Sequence, residues 1–261
     1  KKNSNVLNLK NLITKDKIIL NTYSLFKKSI GNYKKKKLVA AISGGPDSLA
    51  LAGLLKILEY EKKTKVFYVL VDHSIRMSSQ KEAQKVKILL KKNKISLKIL
   101  KNKKKIDRNI QSIAREVRYE LLSGFCKKNN INHILTAHHR DDQVETFLIR
   151  LSRGSGVQGL SGMDLTSSLN KRIKIIRPLL DCKKENLIYV AKKIFGKYFK
   201  DPSNKNKKYL RTKVRNLKKT LENSGLSYDQ ILKSIKNLSS TRDTLNKYIS
   251  SLYKENVSIK K

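Results

Sequence analysis

Two rhythms of apolar residues alternate along this chain. Leu38–Ile42 and Val66–Val71 are unbroken apolar or aromatic runs, as expected of strands covered on both faces. Shorter runs at Leu97–Leu100, Ile134–Ala137 and Ile173–Ile176 predict three further strands. Between them the spacing changes to that of a helix. Ser48–Glu59 carries the small residues Ala50, Ala52 and Gly53, and Ser79–Lys92 is amphipathic. In Asn109–Asn129 the stripe is Ile110, Ile113, Ala114, Val117, Leu121, Leu122 and Phe125, which leaves Arg115 and Arg118 off the core face. A helix over 141–152 buries Val144, Phe147, Leu148 and Leu151, and another precedes the first strand over 15–29. Strands alternating with helices predict an α/β fold: a parallel five-stranded sheet with helices on both faces and its ligand site at the carboxyl ends of the strands. Beyond Pro202 no strand signal returns; Lys207–Asn223 and Tyr228–Tyr253 read as helices broken at Ser224-Gly225. The expected organisation is a main domain over 1–216 and a helical appendage over 217–261.

The first strand empties into Ser43-Gly44-Gly45-Pro46-Asp47-Ser48, and a helix starts at once. Adjacent glycines let the backbone approach an anion, and a helix start offers N–H groups at the positive end of its dipole. A carboxylate is out of place beside bare phosphate, so Asp47 points to a bridging divalent cation. Neither Gly-x-x-x-x-Gly-Lys-[Ser/Thr] nor Gly-x-Gly-x-x-Gly surrounds this turn, which argues against a Walker-type kinase or a dinucleotide dehydrogenase. A plain strand-to-helix turn is the simpler alternative.

Composition narrows the class. The 261 residues, 39% of them apolar, suffice for one core and a small appended module. No stretch of about 18 uncharged apolar residues and no apolar signal segment is present, so a cytoplasmic protein without membrane attachment is expected. Cys126 and Cys182 form no Cys-x-x-Cys pair and read as core thiols. The formal charge of +40 calls for a polyanionic partner such as nucleic acid. Lysine outnumbers arginine so heavily that the runs Lys34–Lys37 and Lys101–Lys105 read as solvated surface. The arginines, concentrated between Arg108 and Arg215, are the more informative cations, because a guanidinium holds phosphate or carboxylate in a planar, two-pronged way.

Three further segments carry polar chemistry. The second strand ends in Asp72-His73-Ser74-Ile75-Arg76, beside the phosphate-binding loop, although Asp72 could simply cap the turn. The fourth ends in His138-His139-Arg140-Asp141-Asp142-Gln143-Val144-Glu145-Thr146, more polar groups than helix capping needs. Adjacent histidines point apart on a helix, which disfavours a zinc site. Arg153–Gly162 holds four glycines and reads as a ligand-wrapping loop, a lid or a linker.

In sequence order the motifs are Ser43–Ser48, Asp72–Arg76, Ala114–Tyr119, His139–Thr146 with Arg153–Gly156, Arg177–Leu179 and Asp201–Asn204. This ordered set resembles the tRNA(Ile)-lysidine synthetases of the ATP pyrophosphatase superfamily, over about residues 36–216. The resemblance implies a Rossmann-like fold and a ligase forming a C–N bond. ATP would adenylate C2–O of cytidine 34 in the CAU anticodon of tRNA(Ile), and free L-lysine would displace AMP to give lysidine. It further implies that Ser43, Gly44, Gly45, Pro46, Asp47 and Ser48 bind ATP together with Asp72 and His73, Asp47 holding Mg²⁺. Asp47, Asp142, Glu145 and Arg115 would be catalytic, the two α-helical acids orienting the lysine ammonium or metal. Arg76, Arg118, His139, Arg153, Arg211 and Arg215 would meet the substrate or tRNA. A homodimer is compatible with this reading. The C-terminal part departs from longer members, which carry further tRNA-binding domains.

Two rivals stand beside it. A tRNA-thiolating enzyme would use the same loop on cytidine or uridine but deliver sulfur, and the two cysteines offer no pair for that. A non-catalytic basic RNA-binding module would not need an intact loop.

Overall fold

The computed structural model describes residues 15–33, 36–62, 64–104, 106, 110–200 and 209–256. Arg108, Lys34, Lys35, Lys105 and the motif Asp201–Asn204 lie outside them. In chain order the elements are helix α1 (Lys17–Ser29), strand β1 (Lys37–Ile42), α2 (Pro46–Lys62), β2 (Lys65–Asp72), α3 (Ser79–Lys92), β3 (Leu97–Lys101), α4 (Ile110–Lys128), β4 (His133–Leu135), α5 (Arg140–Leu151), the short α6 (Val157–Leu160), β5 (Thr166–Ser168), β6 (Lys174–Ile176), α7 (Lys184–Phe195), α8 (Leu210–Asn216), α9 (Lys218–Asn223) and α10 (Tyr228–Asn256). They form two compact units, neither a continuous stretch: residues 1–139 with 164–201, and residues 140–163 with 202–261.

The first unit holds the sheet, in the order β3-β2-β1-β4-β6-β5. All pairings are parallel except β5 with β6, where Thr166 faces Ile176 and Ser168 faces Lys174. The sheet therefore has six strands rather than the expected five, with one antiparallel edge. Thr166-Ser167-Ser168 is too short and polar to give an apolar run, and a hairpin return needs no crossover helix. Alternation along β1 shows how the core divides. Leu38, Ala40 and Ile42 join one apolar cluster with α1, α2, α3 and α7, while Val39 turns to the other face with Val69, Leu122, Cys126 and Ile134. Helix α7 had no counterpart in the expected elements. It packs along α2, where a Cβ at Gly53 would lie 2.6 Å from Ile194 Cδ1, so glycine lets the Ile194 side chain sit close to α2.

The second unit is helical. Val144 on α5 is fully buried against Tyr228, Leu232 and Ile235 of α10, with Phe147, Leu148 and Leu221 alongside. The expected helix over 207–223 is two short helices that divide at Leu217. Among the described residues no helix is long and apolar enough to cross a membrane.

Candidate active site

The turn between β1 and α2 is built around one hydroxyl. Ser48 Oγ accepts the N–H groups of Ser43 and Gly44, at 3.1 Å each, and donates to the Gly45 carbonyl at 3.0 Å. Gly44 is buried with φ +86°, and a Cβ there would sit 2.4 Å from Val86 Cγ2 of α3. Both the backbone conformation and the available space therefore require glycine. Pro46 opens α2, where a missing N–H costs nothing. Its neighbour Asp47 keeps Oδ1 buried with no hydrogen-bond partner among the described residues, while Oδ2 lies 3.7 Å from Nε2 of the buried His139. An unpartnered carboxylate oxygen in this turn fits a hard cation. A single protein carboxylate is also the usual contribution to Mg²⁺ held chiefly by substrate phosphates.

At the end of β2, Asp72 is buried and its Oδ1 accepts the Ser74 N–H at 2.9 Å. Its backbone carbonyl takes the Asn102 amide at 2.8 Å, and Asn102 Nδ2 reaches the His73 carbonyl at 3.2 Å. Asp72 thus shapes the turn that presents His73. Arg76 lies 3.4 Å from Glu82, both partly exposed. Arg115 is exposed on α4 over the Tyr119 ring at 5.1 Å, and Arg118 is exposed on the same helix. Arg177 is buried and donates to the Asp164 carbonyl at 2.8 Å and to Ser167 Oγ at 2.9 Å, which pins the β5–β6 edge.

In the second unit, the acids of α5 meet the cations of α8 and α9. Glu145, only 1% exposed, receives Arg211 Nε at 2.8 Å, Arg215 Nε at 2.6 Å and Arg215 Nη2 at 3.0 Å. Arg211 Nη2 also donates to Asp142 Oδ1 at 2.7 Å, and Lys218 pairs with Asp141 at 3.0 Å. Three carboxylates face three cations, so the formal charge of the group cancels. Burial works against the charged guanidinium of Arg211, yet Asp142 and Glu145 outweigh it and hold its pKa above the usual value. Burial, then the charges of Glu145 and Asp141, push the Tyr228 phenol up to about 12. Asp142 and Glu145 are thus brought together with Arg211 and Arg215, which turn inward to the acids. Asp141, inside the His139–Thr146 motif but given no role from sequence, and Lys218, which lies in no motif, belong to the same group.

The glycine-rich segment after α5 is clipped rather than loose. The Gln143 amide donates to the Met163 carbonyl at 2.8 Å and accepts the Met163 N–H at 2.7 Å. Arg150 Nη1 donates to the carbonyls of Gly159 and Gly162 at 2.7 and 2.9 Å, and Ser161 Oγ reaches the Leu238 carbonyl of α10 at 3.2 Å. Arg153 stands exposed just past α5, its N–H bonded to the Arg150 carbonyl at 3.1 Å.

Comparison with known proteins agrees with this geometry. A family model of the PP-loop domain matches residues 18–221, and the chain belongs to that family, whose domains use ATP. Within it, the chain is 42% identical over 204 residues to a tRNA(Ile)-lysidine synthase of Wolbachia pipientis wMel, a match covering 76% of this chain and 47% of that protein. It is 41% identical over 186 residues to the tRNA(Ile)-lysidine synthase of Orientia tsutsugamushi (strain Boryong), covering 71% of this chain and 42% of that one. The chain spans about half the length of the curated relatives it matches. Among solved structures, a U34-tRNA thiolase from Methanococcus maripaludis superposes with a TM-score of 0.70 at 20% identity, covering 85% of this chain and 79% of that one. That likeness concerns the fold alone.

Proposed function

We propose that this protein uses ATP to join free L-lysine to C2 of cytidine 34 in the CAU anticodon of tRNA(Ile). The observation that carries the reading is the β1–α2 turn, with its forced Gly44, its Ser48 hub and the unpartnered Asp47 Oδ1. The relatives' names supply the acceptor and the product. In the first step cytidine O2 attacks the α-phosphorus of ATP and pyrophosphate leaves. In the second, the neutral ε-amine of lysine attacks C2, AMP departs with the oxygen, and the amine gives up a proton. Residues Ser43–Ser48 would hold the departing pyrophosphate, offsetting its charge as it develops. Asp47 would hold Mg²⁺, which supplies further charge neutralisation at the phosphates when bound. Asp142 and Glu145 would orient the lysine ammonium, with Arg211 and Arg215 fixing the two carboxylates in place. Arg76, Arg115, Arg118 and Arg153, exposed or partly exposed, suit contacts to RNA phosphates.

The test is incubation with ATP, Mg²⁺, labelled lysine and a tRNA(Ile) transcript with a CAU anticodon. Label entering the tRNA with release of AMP and pyrophosphate is the expected result; no incorporation under conditions where the protein binds that tRNA would sink the assignment. The thiolation alternative is served poorly by Cys126 and Cys182, both buried and unpaired to each other. Burial pushes the Cys126 thiol up to about 12, far from a reactive thiolate.

A further inference from the structure

The segment that leaves α7 returns to the phosphate-binding turn. Gly196 ends α7 in the left-handed conformation, and three residues later the Phe199 N–H donates to the Gly44 carbonyl at 3.0 Å. The Phe199 ring lies against the same residue, 3.5 Å from where a Gly44 Cβ would stand, with Val86 also pressing on that position. Because α7 is docked on α2 through Gly53, the segment is held to the helix that the turn opens.

A trans peptide is planar, and its C=O and N–H point in opposite directions. The Gly44 carbonyl and the Gly45 N–H belong to one such unit, so whatever holds the first aims the second. The Ser43 and Gly44 amides are already spent on Ser48 Oγ, and Pro46 has none. The Gly45 N–H makes no hydrogen bond among the described residues. A Gly-Gly peptide is also the unit most free to flip, since neither residue carries a Cβ to oppose it. We propose that Phe199 is a positioning residue for the phosphate-binding turn: its backbone N–H pegs the Gly44 carbonyl and so presents the Gly45 N–H outward to an anionic phosphate. The proposal rests on the reading of this turn as the nucleotide site. It deepens that reading by assigning a residue about 150 positions away in sequence to the preorganisation of a single donor.

Phe199→Pro removes the donor, Phe199→Leu keeps it while changing the ring, and both are compared with the wild type by calorimetric titration with inorganic pyrophosphate, ATP and adenosine. Phe199→Pro is expected to weaken pyrophosphate and ATP about five- to tenfold, the value of one hydrogen bond, with adenosine affinity unchanged. Phe199→Leu should stay within about twofold of wild type on all three. A general loss of structure would instead move adenosine as well. Hydrogen exchange on the unmodified protein gives a second readout independent of folding of the variant. The Phe199 amide should exchange slowly with or without ligand, while the Gly45 amide exchanges fast alone and slows when pyrophosphate is added. A Phe199 amide that exchanges like an exposed loop, a Gly45 amide indifferent to pyrophosphate, or a Phe199→Pro variant that folds and binds pyrophosphate as the wild type does would each overturn the proposal. If the wild type binds neither pyrophosphate nor ATP, the nucleotide reading itself falls; if it binds both and only the Phe199 results fail, that reading stands and the peg is wrong.

Discussion

The β1–α2 turn and the acid–arginine group of α5, α8 and α9 solve the problem of holding charge in opposite ways. The turn uses backbone: one serine hydroxyl gathers two amides, two glycines remove side chains, and the Gly45 N–H and one Asp47 carboxylate oxygen have no partner among the described residues. The helical group uses side chains: carboxylates and cations satisfy one another across 66 to 77 residues of sequence, and Glu145 is saturated. The turn rests on the Ser48 bonds, and the unpartnered Asp47 oxygen adds little to its stability. A saturated ion cluster contributes to holding helices together, and losing one partner strands the rest. Activity should therefore be lost first in one region and stability first in the other.

The largest effect separates them most sharply. Asp47→Ala should lower ATP-dependent pyrophosphate release at least about a thousandfold, with Tm nearly unchanged, because Oδ1 bonds nothing within the described chain. Calorimetry beside a pyrophosphate assay measures both quantities. Next, Glu145→Gln should cost about 3 kcal/mol of stability, since two guanidinium groups lose their shared countercharge; an unchanged Tm would erase the contrast drawn above. Gly44→Ala sits between the two. The clash with Val86 and the positive φ should cost about 2 kcal/mol and weaken ATP binding. Adding Val86→Ala should recover part of the binding by removing the methyl group that a Gly44 Cβ would strike. Arg211→Lys should cost about 1 kcal/mol, because an ammonium cannot bridge Asp142 and Glu145 as the planar guanidinium does. The smallest expected signal is at Cys126. With its thiol raised to about 12 by burial, iodoacetamide at pH 8 should leave it unmodified in the folded protein and label it on denaturation.

The same contrast explains what was legible in the chain. Ser43–Ser48 could be read directly because a backbone-built turn writes its requirements into adjacent residues, and β1 and β2 because strands covered on both faces are apolar throughout. β5 was missed because its three polar residues pair only at an edge. Helix α7 keeps helical spacing at Leu187, Val190, Ala191 and Phe195 but carries no chemical motif and follows the last apolar strand run. The partnership of Glu145 with Arg211 and Arg215 was hidden for another reason. An arginine that faces a carboxylate and one that faces RNA look alike in sequence, and only the fold decides which charge it meets. Asp72 makes a similar point: its local partner, the Ser74 amide, becomes visible only in the fold.

The reciprocal clip of Gln143 on Met163 closes a glycine-rich segment whose other end is tied to α5 just as firmly. The N–H groups of Arg153, Gly154 and Ser155 return to the carbonyls of Arg150, Leu151 and again Arg150, with Gly154 left-handed, so the tip is an ordered helix end. Extra residues inserted between Gly154 and Ser155 would break the Ser155 bond to Arg150. The same insertion between Gly159 and Gly162 would pull the carbonyls off Arg150 and the amide off Gln143 at once, so the segment's length is dictated from both ends.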